Sequence, residues 1–306
     1  MVRAALVMPN MVEGDDTPHG VFDRRGSFLP LSQARLSRGR VSAAPPLEPA
    51  ADHLPGTHLY AGFGHTHFGH FMLESLVRLW ALDHLDTPPD GLVVPTRAHM
   101  HMEPVLSGIL APVVDRFCDG IPLRVIRTPT RVDRLVLPTP GFGHGPWLTG
   151  TPEFRAYTQK RFAQIKVDGP EKLYVSRTGL KRDHQRVDRE DEIEAMMEEA
   201  GYFVFHPQKH PLETQLGVIR AARSIVGSDG SAFHLAPFAM RSDARAAIFM
   251  RRNRREMLSY LSTQMQSFAG PKPVVIDPRQ RPLTGETPAP LCVDTLRTAL
   301  SENGFL

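Results

Sequence analysis

Residues 224–234, with the sequence SIVGSDGSAFH, hold side chains suited to binding a phosphorylated ligand. A predicted strand ends at Gly227, a turn follows, and a predicted helix begins near Ser231. In open parallel sheets, ligands bind at the carboxyl ends of the strands, where a helix N-terminus offers free backbone N–H groups. Ser228 and Ser231 add hydroxyl donors, and Gly230 lets the backbone approach a ligand closely. An ordinary strand–helix turn with a serine or aspartate N-cap is the alternative interpretation.

A second group of polar residues follows another predicted strand, which ends at Ser176. Arg177, Lys181 and Arg182 come after it in the stretch LYVSRTGLKR. Several cations at one edge of a sheet would offset the negative charge of a departing diphosphate. A short cationic loop exposed to solvent is the alternative, but two such features at one sheet edge favour a ligand-binding site.

A third group lies in a predicted amphipathic helix that extends from His67 to Leu85. His67, His70, Glu74 and Arg78 are three, four and four residues apart, so they share one polar face opposite an apolar stripe. A histidine and a glutamate four residues apart can act as a general base and the carboxylate that orients it. The alternative is a helix start in which Glu74 and Arg78 form a surface ion pair.

The same stretch supports a different chemistry, because His65, His67 and His70 have the spacing of a zinc site. This spacing is similar to the metallo-β-lactamase signature, which carries an acidic residue where this chain has Gly69. A zinc site needs three or four convergent ligands, and His144 stands alone in a loop rich in glycine and proline. A metal-dependent hydrolase that uses the three histidines stays an alternative, and we expect no metal or other cofactor.

The elements that position these groups alternate between strands and helices. The chain has 306 residues, of which 41% are hydrophobic and 23% charged, enough for two α/β halves. A loop rich in glycine and proline at 139–151 ends the first half, so we place a domain boundary near residue 150. In the second half, strands are predicted at 173–176, 202–205, 224–227, 246–250 and 274–277. Helices between them predict a parallel sheet with crossover connections.

The net charge of +3 comes mostly from arginines scattered through both halves. A nucleic-acid-binding domain would have a clustered basic face, so we expect no nucleic-acid partner. Two cysteines, far apart and without metal-ligand spacing, suit a reducing compartment. No window reaches the roughly 18 apolar residues of a membrane helix, and the first residues lack the features of a signal peptide. We therefore expect a cytoplasmic protein, with peripheral membrane contact left open.

Taken in order along the chain, these groups resemble the motifs of the family 61 glycosyltransferases. That family has an early helix with histidine and glutamate, a Tyr-Ile-Ser-Arg strand end, a basic residue, an Asn-Glu pair, a Gly-Phe strand, a helix with glutamine and a final Gly-x-His-Gly turn. The resemblance extends from about residue 60 to 240. The matching residues are His70, Glu74, Arg78, Tyr174, Ser176, Arg177, Arg182, Glu190, Gly201, Tyr202, Gln215, Gly227, Gly230, Ser231 and Ala232.

Three positions depart from the family pattern. Asp229 stands where the family has a histidine in the last turn, Arg189 replaces the asparagine of the pair, and His234 replaces a small or polar residue. The carboxylate of Asp229 would repel a diphosphate, so we expect it to cap the helix or bind a sugar hydroxyl. A catalytically inactive, glycosyltransferase-like binding protein is therefore a further alternative.

The resemblance implies a GT-B-like α/β fold, with two Rossmann-like domains facing a cleft. Residues 1–150 would form the acceptor-side domain and residues 151–306 the nucleotide-sugar-binding domain, with the last helix able to pack back on the first domain. The implied activity is inverting, metal-independent transfer of a sugar from a nucleotide-sugar donor. The acceptor would be a hydroxyl of a glycan or lipid-linked glycan, in polysaccharide biosynthesis such as capsule assembly.

The resemblance also implies roles for individual residues. His70 would be the general base, and Glu74 would orient it. The implied donor-binding residues are Ser176, Arg177, Lys181, Arg182, Glu190, Gln215, Asp229, Gly230, Ser231 and His234.

Overall fold

The computed structural model describes residues 1–12, 17–36, 40–180, 186–253, 255–280 and 289–306. The chain forms two compact units, Met1–Arg161 and Phe162–Leu306. Each unit contains a sheet and helices, which confirms the predicted α/β class. Among the helices of the described ranges, none is long and apolar enough to cross a bilayer.

Within its described residues, the first unit has a seven-stranded mixed sheet with the order β3-β2-β1-β7-β4-β5-β6. The strands β4 to β7 run parallel to one another, and β1 is antiparallel to β2 and β7. All five residues of β5 are buried, as expected for a strand covered on both faces. The strands are β1 (Val2–Met8), β2 (Gly20–Phe22), β3 (Phe28–Leu29), β4 (Asp52–Tyr60), β5 (Gly91–Pro95), β6 (Leu123–Ile126) and β7 (Thr130–Val136).

Helical segments of several types connect these strands. The α-helices are α1 (Phe68–His70), α2 (Glu103–Leu106), α3 (Ala111–Cys118) and α4 (Pro152–Phe162). Turns of 3-10 helix cover Pro30–Ser32, Leu79–His84 and Gly145–Trp147, and a π-helical turn covers Phe71–Ser75.

The predicted continuous amphipathic helix from His67 to Leu85 is wrong. In an α-helix, the N–H of Arg78 would donate to the carbonyl of Glu74. Here, the Phe63 N–H donates to that carbonyl at 2.9 Å, and the Arg78 N–H donates to Ala61 O at 3.2 Å. The segment that follows β4 therefore forms the hydrogen bonds that a continuous helix would make within itself. The helix is interrupted there, and Phe71–Ser75 forms the π-helical turn. Turns of this kind are frequent at functional sites.

The second unit has the regular alternation that the sequence predicts. Its described residues form a five-stranded parallel sheet with the order β12-β11-β10-β8-β9. The strands are β8 (Lys172–Val175), β9 (Phe203–Phe205), β10 (Ser224–Ser228), β11 (Arg245–Phe249) and β12 (Val274–Ile276). The helices are α5 (Glu190–Glu199), α6 (Leu212–Ala221), α7 (Ala232–Ala239), α8 (Arg255–Ala269) and α9 (Val293–Glu302); a 3-10 turn covers Pro207–Lys209.

The strand order of the second unit defines where a ligand would bind. Counted within this unit from the β9 edge, the order is 2-1-3-4-5, so the winding direction reverses between β8 and β10. Ligands of such sheets bind at this reversal, beyond the carboxyl ends of the strands. The last helix, α9, contributes Val293, Leu296 and Leu300 to the core of the same unit, together with Tyr174 and Ile193.

Candidate functional site

Glu74 is the centre of a cluster of three imidazoles in the first unit. His65 Nε2 donates to Glu74 Oε2 at 2.8 Å, and His70 Nδ1 donates to Oε1 at 2.8 Å. His144 Nε2 donates to the same Oε1 at 3.1 Å. Each hydrogen bond fixes the ring nitrogen that carries the proton, because a neutral imidazole can donate only through its single N–H.

The carboxylate of Glu74 is held in its ionised form, although its side chain is only 2% exposed. Burial raises the pKa of this carboxyl, but the hydrogen bonds from His144, His65 and His70 outweigh burial and leave the pKa far below its usual range. The hydrogen bond to Glu74 in turn raises the pKa of His70, against the opposing effects of burial and of the charge on Arg97. The result is a strengthened base beside a buried anion.

His70 has a second ring nitrogen that can accept a proton. Its Nδ1–H donates a hydrogen bond to Glu74, so its Nε2 keeps a free lone pair. The side chain is 47% exposed and lines a cavity of about 360 Å³. His67 lines the same cavity, and its pKa is lowered by burial and by the neighbouring imidazoles of His70 and His65. A base, an orienting carboxylate and a space for a ligand thus occur together.

The backbone between Gly62 and Ser75 determines where Glu74 lies. Ser75 Oγ donates to Phe63 O at 2.8 Å and accepts the His65 N–H at 3.2 Å. Gly62 has a φ of 148°, and a Cβ at this position would lie 2.2 Å from the carbonyl oxygen of Glu74. Only glycine therefore allows the strand end to approach the π-helical turn closely enough for these bonds.

Arg78 connects the π-helical turn with the loop that carries His144. The alternative of a surface ion pair with Glu74 is wrong, because both side chains are buried and Arg78 donates to the carbonyls of Gln33, at 3.0 Å, and Pro138. Burial lowers the pKa of Arg78 to about 10. The loop begins directly after Pro138, so its position and that of His144 depend on this buried guanidinium.

In the second unit, polar residues occur where β8 and β10 end, next to the reversal of strand order. Ser176 follows β8, and its hydroxyl donates to Glu194 and accepts the Thr178 N–H at 3.0 Å. The Arg177 guanidinium lies over the turn after β10, because a Cβ on Gly230 would be 2.2 Å from Arg177 Nη1. These two strand ends therefore form one polar surface, as the sequence predicts for residues 176–177 and 228–231.

Asp229 has a structural role that the sequence does not predict. It does not cap α7; instead its Oδ1 accepts the Arg251 N–H at 2.9 Å, and Arg251 Nε donates to Asp229 O at 2.9 Å. Arg252 Nε lies 3.6 Å from Asp229 Oδ2. Burial, reinforced by Arg177, lowers the pKa of Arg251 to about 9. Asp229 therefore holds arginines that could bind an anion, and its own charge is offset.

Glu190 is a buried carboxyl group in the same region. Its Oε1 accepts the Arg177 N–H at 2.8 Å and the Tyr174 hydroxyl at 3.3 Å. Burial, with Glu194 nearby, raises the pKa of Glu190 to about 7. Its Oε2 is buried and has no hydrogen-bond partner within the described ranges. Such an oxygen can bind a ligand hydroxyl or N–H group.

The remaining predicted residues of the second unit have varied surroundings. Gln215 Nε2 donates to Pro207 O at 2.9 Å and to His210 O at 3.0 Å, beside a cavity of only about 10 Å³. His234 is buried, and its Nδ1 donates to Gln264 Oε1 at 3.0 Å. Ser231 is the N-cap residue of α7 and makes no side-chain capping bond. The predicted residues Lys181 and Arg182 lie outside the described residues.

A comparison with protein families matches residues 68–247 to the model described as Glycosyltransferase 61. The chain belongs to glycosyltransferase family 61. The match includes His70, Glu74 and His144 of the first unit and the ends of β8 and β10 in the second. A search of curated proteins finds no match. Because members of this family are glycosyltransferases, the chain is assigned by its family to the enzymes that transfer sugars.

Several site residues of this family 61 glycosyltransferase are not predicted from its sequence. His65, which the sequence predicts only as a possible zinc ligand, and His144 join Glu74 although they are 9 and 70 residues away from it in the chain. Arg251 and Arg252 follow β11, next to β10 in the sheet. The sequence does contain a signal for these two arginines, because they follow the carboxyl end of a predicted parallel strand, where ligands bind. For His144 we find none.

The residues of this glycosyltransferase that lie close enough to bind one metal ion differ from the three histidines that the sequence predicts. Across the described ranges, the His, Cys, Asp and Glu side chains close enough to share an ion are His65, His70 and Glu74, with ligand atoms within 4.8 Å of one another. His67 is not in this group. Both oxygens of Glu74 accept hydrogen bonds from imidazoles, which is the arrangement of a base and its orienting carboxylate.

Proposed function

We propose that this family 61 glycosyltransferase moves a hexosyl or pentosyl unit from a nucleotide-sugar donor to a hydroxyl of a glycan or lipid-linked glycan. The transfer inverts the anomeric centre and uses no metal ion. The observation that carries the proposal is the His70–Glu74 pair, in which a buried anion fixes the tautomer of a partly exposed imidazole at the wall of a cavity.

In this mechanism, His70 is the general base. Its Nε2 takes the proton of the acceptor hydroxyl while the hydroxyl oxygen forms a bond to the anomeric carbon of the donor sugar. The bond from that carbon to the diphosphate oxygen breaks, and the nucleoside diphosphate leaves with the electron pair. Glu74 stabilises the imidazolium that forms, as a carboxylate does in other base–carboxylate pairs.

The second unit would bind the donor. Arg177, Arg251 and Arg252 gather at the ends of β8, β10 and β11, and guanidinium groups stabilise negative charge on a leaving diphosphate. Their charge supports transfer without a metal ion. Ser176, Glu190 and the turn at Gly230 and Ser231 are the proposed contacts to the rest of the donor. Lys181, Arg182, Gln215, Asp229 and His234 complete the proposed set of donor-binding residues.

We further propose a GT-B arrangement, in which the first unit takes the acceptor and the second the donor. The parallel sheet of the second unit, with its reversal of strand order next to the arginines, is what a nucleotide-binding half of such an enzyme requires. This chemistry fits an enzyme of polysaccharide assembly, such as capsule synthesis. The enzyme would be cytoplasmic and would make peripheral contact with a membrane that carries a lipid-linked acceptor.

The experiment combines donor binding with substitution of the base. Chelator-treated protein is heated in the presence of a panel of nucleotides and nucleotide sugars, and a ligand at about 100 times its Kd should stabilise the fold by about 2.7 kcal/mol. The variant His70→Ala should keep that stabilisation and lose transfer to acceptor glycans. No stabilisation by any nucleotide sugar, together with unfolding by the chelator, would replace this proposal with the metal-dependent alternative. Donor binding without turnover on any acceptor would favour the inactive binding protein.

A further inference from the structure

Arg97 is a half-buried cation in the wall of the cavity that contains His70. The backbone at this point is fixed just after β5, where Arg97 bridges to Asn10 and its carbonyl accepts the Met100 N–H at 2.8 Å. The hydrogen bond that His70 donates to Glu74 raises the pKa of His70, and the charge of Arg97 acts against it. Arg97 is therefore held close to the proposed base.

The guanidinium of Arg97 has no counter-charge in the part of the chain that the structure describes: it makes no hydrogen bond and no ion pair there. Two other arginines of the same unit have a carboxylate partner. Arg127 lies 3.5 Å from the carboxylate of Glu103, and Arg161 lies 2.9 Å from that of Asp83. A partly desolvated cation at a cavity wall attracts an anion from solution, because the low-dielectric surroundings strengthen its field.

Among the described residues that line the cavity, cations outnumber anions. Arg40 lines the cavity together with Arg97. The negative charge among these lining residues belongs to Glu74. Its side chain is only 2% exposed, and its oxygens accept hydrogen bonds from imidazole N–H groups. At about 360 Å³, the cavity has the size of a site for one small ligand. A neutral sugar would leave the guanidinium of Arg97 without a partner.

We propose that the acceptor carries an anionic group, a sugar carboxylate or a phosphate ester, and that Arg97 binds it. This inference rests on the proposed function and names the class of its acceptor. A planar guanidinium binds carboxylate or phosphate through two parallel N–H bonds, which orients the ligand as well as attracting it. Fixing the anionic group at Arg97 directs a neighbouring hydroxyl of the same sugar towards Nε2 of His70.

The test measures binding of three probes to the full chain by saturation-transfer NMR and calorimetry, without donor. The probes are methyl β-glucuronide, methyl β-glucoside and glucose 6-phosphate. We expect the glucuronide or the sugar phosphate to bind at least about tenfold more tightly than the neutral glucoside. The tighter of the two anionic probes shows whether the anionic group of the acceptor is a carboxylate or a phosphate ester. In Arg97→Gln the preference should disappear, while the affinity for the glucoside stays unchanged.

Two further variants make the result specific to this side chain. Arg297→Gln removes the same charge from the exposed face of α9 and should keep the preference for the anion. Arg97→Lys keeps the charge without the fork of two N–H groups and should retain part of the preference; it also serves if Arg97→Gln does not fold. Equal binding of charged and neutral probes, or no binding of any probe, would overturn the inference.

The same proteins separate this inference from the proposed function. Thermal stabilisation by nucleotide sugars should be equal in the wild-type protein and in Arg97→Gln, because the donor site lies in the second unit. Loss of donor stabilisation in Arg97→Gln would assign the guanidinium to the donor and overturn the inference. Absence of donor stabilisation in the wild-type protein would contradict the proposed function, whatever the sugar probes show.

Discussion

Replacing Glu74 by glutamine should remove most of the activity and also shift its pH dependence. During transfer, His70 becomes an imidazolium beside the carboxylate that accepts its Nδ1–H at 2.8 Å. Two opposite charges about 4 Å apart interact by about 4 kcal/mol at an effective dielectric constant of about 20, which corresponds to a rate factor of about 10³. His70 is 47% exposed, so solvent screening reduces the effect, and we expect kcat/KM to fall by about 10²–10³.

The pH profile of kcat/KM distinguishes a base that has lost its anion from a protein that has lost its fold. The neutral form of His70 is the active one, and Glu74 raises its pKa, so wild-type activity falls as pH decreases through a value above the ordinary 6.5. Without the carboxylate the pKa drops, and the midpoint of the acid limb should move to lower pH while the plateau falls. The assay is initial-rate transfer between about pH 5 and 9, with urea unfolding as the measure of stability.

His65→Gln is the matched control, because an amide N–H can replace the imidazole N–H that donates to Glu74 Oε2. This variant should keep the plateau of kcat/KM within about tenfold of the wild type. An unchanged plateau in Glu74→Gln, or a fall in the plateau with an unmoved midpoint, would refute the idea that Glu74 acts on His70.

Three other substitutions test the surrounding structure. Gly62→Ala should destabilise the fold by about 3 kcal/mol or more in urea unfolding, because its Cβ would lie 2.2 Å from Glu74 O; a loss below about 1 kcal/mol would show that the turn yields easily. Glu190 has a pKa of about 7 against an ordinary 4.5, so the folded state binds its proton more tightly and stability falls as pH rises through that window. Glu190→Gln should therefore stabilise the protein at pH 8 by up to about 3 kcal/mol and have no such effect at pH 4. Arg252→Gln should weaken nucleotide-sugar binding about tenfold or more, whereas Arg223→Gln, before β10 at the opposite end of the sheet, should not; equal effects of the two would indicate only general electrostatics.

The fold of the second unit follows closely from its sequence. Each predicted strand from residue 173 to 277 occurs within about one or two residues of its expected bounds, because short apolar runs between glycines and helices determine it locally. Helix α8 is not predicted, although Leu258, Leu261, Met265 and Phe268 are buried at helical spacing. Polar residues between them dilute this pattern.

The site in the first unit is less predictable, because contacts between distant residues decide it. The spacing of His70 and Glu74 indicates the pair correctly, yet the helix that would carry them is opened by a hydrogen bond from Phe63. The partner His144 comes from a loop whose glycine and proline content predicts only a domain boundary. Local periodicity therefore gives the residues of the site, but not the backbone that brings them together.

The cluster around Glu74 has a limited capacity for protons. Three imidazoles surround one negative charge, so a single added proton makes the group neutral, and a second would leave it with a net positive charge in a mostly buried place. The proton that His70 removes from an acceptor must leave before the next turnover, and the exposed edge of its ring is where it can pass to water. Buffer species small enough to enter the cavity should then increase the turnover rate if this proton release limits it.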